Sequence, residues 1–123
     1  ERFSLSEGYS HLTLPGWMER ARAQHTQCDL LLVDGGHSIQ AAKKDLQMLR
    51  KVAAPGARVV VDDINTLPGL SLRQLAQQGV IRILESYRFG KKTVHNPCQR
   101  KAKGRTLACS GWGYAVAEYI PRS

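Results

Sequence analysis

Two short apolar runs, each ending in acid, constrain this chain more than any other feature. The first is Cys28-Asp29-Leu30-Leu31-Leu32-Val33, followed by Asp34; the second is Ala57-Arg58-Val59-Val60-Val61, followed by Asp62-Asp63. Runs of this length are too short for an ordinary helix and have the character of strands buried in a parallel sheet. Between them Ile39, Ala42, Leu46, Leu49 and Ala53 recur at helical spacing, while Lys43, Lys44, Gln47 and Lys51 fall on other faces. Ser38 is placed to cap that helix and Pro55-Gly56 to stop it. A strand, a helix and a strand in this order imply two parallel strands joined by a crossover.

The rest of the chain reads as further elements of an α/β domain spanning residues 1–123. Arg2-Phe3-Ser4-Leu5 is a short expected strand, followed by the turn-like Glu7-Gly8-Tyr9-Ser10. Pro15 suits the first turn of a helix whose face would carry Trp17, Met18, Ala21 and His25. A helix is expected from Ser71 to Gln78 with Gly79 at its end, then strands at Val80–Tyr87 and Gly111–Ile120. No run of about 18 apolar residues occurs, which argues against a membrane-spanning helix. The cysteines Cys28, Cys98 and Cys109 form no CxxC pair, so reduced thiols and a cytoplasmic location are expected.

Charge is unevenly placed. The chain carries 18 Lys+Arg against 10 Asp+Glu, a formal net charge of +8. Between Ser86 and Ala117 lie Arg88, Lys91, Lys92, Arg100, Lys101, Lys103 and Arg105, with no acidic residue. This basic hairpin arm, about residues 88–109, is expected to be solvated. It also offers Arg100, Lys101, Lys103 and Arg105 to a polyanion, which makes a non-catalytic module binding nucleic acid the alternative function.

Ligands of open parallel sheets bind beyond the carboxyl ends of the strands. Asp34 and the pair Asp62-Asp63 end neighbouring strands there, where strands lie about 4.8 Å apart. Their carboxylates are therefore able to converge on one hard cation such as Mg²⁺. Adjacent carboxylates repel unless something offsets them, so the pair is a more specific signal than either acid alone. His37, three residues after Asp34, shares the rim, and an imidazole there is a candidate general base.

The segment from Cys28 to Ile64, CDLLLVDGGHSIQAAKKDLQMLRKVAAPGARVVVDDI, resembles class I S-adenosylmethionine-dependent methyltransferases, catechol-type small-molecule O-methyltransferases above all. The resemblance implies a Rossmann-like, mostly parallel sheet with a carboxyl-terminal antiparallel hairpin, in strand order 3-2-1-4-5-7-6. It implies that Asp34, Asp62 and Asp63 bind a divalent metal, that Asp34 lies near the methyl donor, and that His37 stands where the family has its lysine base. Gly8-Tyr9-Ser10-His11 is similar to the family's loop beside the adenine ring, making Ser10 and His11 donor-binding candidates. The glycine-rich donor loop and the acid for the ribose are not found, so a carboxyl-terminal portion lacking the amino-terminal strands is expected. The edge left by those strands would be apolar and prone to association, including with a second copy of the chain. The implied function is O-methylation of a small-molecule hydroxyl.

Overall fold

The computed structural model describes residues 2–89, 99–102, 105–108 and 112–122; residues 89, 99–102, 105–108 and 112 are described as backbone. Helix α1 spans Ser10–Ala23 and strand β1 Cys28–Val33; helix α2 spans Ile39–Leu49 and strand β2 Ala53–Asp62. Helix α3 follows at Leu67–Gln77, then β3 at Ile81–Phe89, β4 at Gln99–Ala102, β5 at Arg105–Ala108 and β6 at Trp112–Tyr119. No helix among the described residues is long and apolar enough to cross a membrane.

The central sheet has the order β1-β2-β6-β3. Strands β1 and β2 pair in parallel, as their helical crossover requires. Strand β6 enters between β2 and β3 and runs antiparallel to both. Three of the four strands therefore share one direction, yet two of the three pairings are antiparallel. Parallel pairing is thus confined to β1 and β2, because the reversed strand is internal to the sheet. The order coincides with the 4-5-7-6 half of the sequence that the resemblance implies. Strands β4 and β5 form a separate antiparallel pair within the basic arm.

Alternation decides which side of the sheet is core. Leu31 and Val33 of β1, Val59 and Val61 of β2, and Ala115 and Ala117 of β6 point to one face and are buried. Helices α2 and α3 cover that face with Leu46, Leu72 and Leu75, and Met18 and Ala21 of α1 complete the cluster. The intervening residues Leu30 and Leu32 point the other way and are 68% and 63% exposed. The Tyr119 hydroxyl donates to the Leu46 carbonyl at 2.6 Å, tying β6 to α2; burial pushes that phenol far above its ordinary value.

Several local expectations change. Arg2–Leu5 forms no strand. Helix α1 begins at Ser10, so Pro15 lies inside it rather than in its first turn, and His25 sits beyond its end with φ 52°. Helix α2 is capped as expected, the Ser38 hydroxyl accepting from the Ala41 N–H at 3.0 Å. It stops at Leu49, however, and Ala53, Pro55 and Gly56 belong to β2. The register there jumps from Cys28↔Ala53 to Leu30↔Arg58, a bulge that absorbs the proline's missing donor. Helix α3 starts a turn before Ser71, with Pro68 in its first turn, and ends with Gly79 at φ 71°.

Candidate functional site

Parallel register builds the acidic rim. Val33 pairs with Val61, so the next residues, Asp34 and Asp62, leave the sheet side by side. Crowding out of water, followed by the nearby carboxylates of Asp62 and Asp63, pushes the Asp34 carboxyl above its ordinary range, with His37 pulling the other way.

Asp63 turns back toward the loop after β1. Its φ is 55°, a left-handed conformation uncommon for a residue with a side chain. The turn is held by the Thr66 amide and hydroxyl, which donate to the Asp63 carbonyl at 3.0 and 2.8 Å. The Ile64 amide donates to the Gly113 carbonyl at 3.1 Å, fastening the turn to β6. In this pose Asp63 Oδ2 lies 3.1 Å from His37 Nε2. One donor atom from each of Asp34, His37 and Asp63 falls within 4.8 Å of the others. Asp62 joins the group through Asp34, and across the sheet it pairs with Tyr114, whose ring stacks on Tyr87 at 4.9 Å.

An open cleft of about 440 Å³ lies beside the rim. Leu14, Leu32, Val33 and Leu49 supply its apolar wall, and Ser10, Asp34, Gly35 and Asp45 its polar side. A second, narrow crevice is bordered by Asp34, Gly35, His37, Asp62 and Asp63. Asp34 and Gly35 therefore stand between the two hollows. The structure places Ser10 in the cleft but leaves His11 outside its lining, stacked on Tyr9 at 5.7 Å.

Asp45 escapes notice in the sequence. It sits on the apolar stripe of α2 with Ala42, Leu46 and Leu49, and a charge on such a stripe was the available signal. Of the basic-arm residues proposed for a polyanion, Lys103 lies outside the described residues, and Arg100, Lys101 and Arg105 are described as backbone. Cys98 and Cys109 also lie outside them; Cys28 is a free thiol whose pKa is raised, chiefly by burial.

A family model for a methyltransferase domain matches residues 1–64, from before α1 through β2 to Ile64. The match contains the whole acidic rim, Ser10 and Asp45. No curated protein matches the chain. With just over half of its length inside the family model, and with that half holding both cleft and rim, the chain belongs to the methyltransferase domain family.

Proposed function

We propose that the domain transfers a methyl group from S-adenosylmethionine to a hydroxyl of a small-molecule acceptor, with a divalent cation at the rim. The observation that carries this reading is the contact between the two hollows: Asp34 borders the cleft and belongs to the Asp34–His37–Asp63 cluster. A donor in the cleft and an acceptor hydroxyl held over the rim would meet at that residue.

The residues suit both groups. The cleft offers an apolar wall for a flat ring and a few polar atoms to orient it, the usual make-up of a cofactor pocket. The rim offers hard carboxylate oxygens, and His37 is the one basic side chain in ion-pair contact with them among the described residues. S-adenosylmethionine supplies an electrophilic methyl group. A cation such as Mg²⁺, held by Asp34, Asp62 and Asp63, would supply positive charge that favours an ionised acceptor hydroxyl.

The chain's own part is proton handling and positioning. Asp63 accepts from the His37 Nε2–H, which leaves the lone pair on Nδ1 to take the acceptor's proton. The same carboxylate then stabilises the imidazolium. Asp62 leaves the sheet beside Asp34, so the two carboxyls would share the cation. Fixing the reacting groups in line contributes most of the acceleration in such a displacement.

Calorimetry with S-adenosylhomocysteine and a radiolabelled methyl-transfer assay on catechol and aliphatic alcohols test the reading. Binding of the product analogue is expected, together with turnover that a chelator abolishes and added Mg²⁺ restores. His37→Ala should cost ~10²-fold or more in turnover and remove the acid limb of the pH–rate profile. Turnover indifferent to chelator would remove the cation from the reaction, and no analogue binding at all would remove the methyltransferase activity.

A further inference from the structure

Helix α1 is held unevenly along its length. Its buried residues, Met18 and Ala21, lie in its second half, and nothing in it before Met18 is buried. Its first turn has no side-chain cap and no acidic residue to meet the helix dipole. Pro15 lies inside the helix, where it removes the hydrogen bond to the His11 carbonyl, and Gly16 follows it. On the other side stands Gly8 at φ 129°, a backbone region that side chains rarely enter. Residues 10–14 are thus bounded at both ends by positions where the chain bends easily. Leu14 packs partly against the core, and the Ser10 hydroxyl donates to Oδ2 of Asp45 on α2 at 3.1 Å. Asp45 is only 7% exposed, and this one donor, among the described residues, leaves most of the carboxylate's roughly four acceptor positions unused.

The cleft takes two residues from α1, Ser10 and Leu14, and both precede Pro15. Its other lining residues belong to β1, to α2 or to the loop between them. From this division we infer that residues 10–14 are a flap over the cleft, swinging about Pro15-Gly16 and latched shut by the Ser10–Asp45 hydrogen bond. Opposed terms hold its two positions close in free energy. Closed, the flap keeps Asp45 out of water with a single donor, which is costly for a carboxylate. Open, water fills the remaining acceptor positions, at the loss of that bond and of the Leu14 contact. A ligand in the cleft favours the closed position by what it gains from Ser10 and Leu14. Which ligand the flap admits rests on the reading of the cleft as the donor site; the motion itself does not.

The experiment is NMR relaxation dispersion on the 123-residue chain, with and without S-adenosylhomocysteine. An added Cβ at Gly35 would lie 3.4 Å from Asp45 Oδ2, so the Gly35 amide reports on the latch from the far side of the cleft. The amides of Leu12, Thr13, Leu14, Gly35 and Asp45 should share one exchange process on the μs–ms timescale, while those of Ala21 and Leu46 stay flat. Ser10→Ala removes the latch and should raise the open population about tenfold, the worth of one hydrogen bond to a charged group. Pro15→Ala with Gly16→Ala completes the helix and should suppress the process, as should S-adenosylhomocysteine in the wild type. Simple fraying of a helix end would leave Gly35 and Asp45 flat, and that result overturns the inference. So does a Ser10→Ala chain with the wild-type population, a folded double variant that keeps the motion, or a process that bound analogue leaves unchanged. A chain that shows the shared process but binds no analogue keeps the flap and loses the donor reading.

Discussion

Asp63 shows how closely single residues are fitted around the rim. Its left-handed backbone is stabilised only by what surrounds it, and the tightest neighbour is a glycine. A Cβ at Gly69 would fall 1.7 Å from the Ile64 carbonyl oxygen, inside any tolerable contact. Helix α3 can approach the Asp63–Ile64 turn this closely because position 69 has no side chain. Gly69→Ala should therefore cost about 1–3 kcal/mol in a denaturant titration, by forcing the helix off the turn. Methyl transfer should fall further than stability alone explains, since the displaced turn carries Asp63. Unchanged stability would mean that α3 yields without strain. At this scale the rim acids and His37 were legible, because their positions at strand ends are written in the order of residues. The φ of Asp63 was not, since backbone sign depends on the Thr66 and Gly113 contacts, which form only in the fold. Asp45 was missed because a helical pattern marks apolar positions and treats an acid among them as noise.

Ion pairing and capping work between elements. Glu118 of β6 reaches Arg58 of β2 on one side at 3.0 Å and Arg82 of β3 on the other, where the Arg82 Nε lies at 2.9 Å. These bridges join the three strands on the face opposite the helices. The Arg82 hydrogen bond, followed by the two guanidinium charges, holds the Glu118 carboxyl below its ordinary range, against an opposing cost of desolvation. A carboxylate more acidic in the fold than in the unfolded chain stabilises the fold above its unfolded pKa, and the gain is lost as pH falls through the depressed value. Glu118→Gln should thus lower the melting temperature at neutral pH, with the gap from wild type closing in acid. A gap that stays constant with pH would show packing rather than charge at work. The elements themselves were largely legible: β1 has the bounds read from its apolar run, and Ser38 caps α2. The misplaced bounds of α1 and of α2 and β2 have one physical cause. Pro15, Pro55 and Gly56 were read as local punctuation, but a packed helix and a bulged strand accommodate them.

Over the whole molecule, the helices lie on one face of the sheet, and no described helix covers the other. Leu30 and Leu32 are the most exposed apolar residues of the sheet among those whose side chains are described, on a strand whose outer edge has no partner among the described residues. Leu30→Lys with Leu32→Lys should reduce light scattering and dye binding by the 123-residue chain without changing its circular dichroism. Scattering that persists would place the adhesive surface elsewhere. The internal position of β6 was not readable from periodicity, which orders elements along the chain and not across a sheet. Its position has a further consequence. Phe89 pairs with Trp112, and Arg88 with Gly113, at the end of the sheet where Asp62 meets Tyr114. The sequence between residues 89 and 112 thus leaves and re-enters the sheet at two adjacent strand ends next to the acidic rim. Lengthening such a closed insert adds little entropic cost, about 0.6 kcal/mol per doubling. The length of chain between these two strand ends is thus free to vary beside the rim without altering the pairing of β3 with β6.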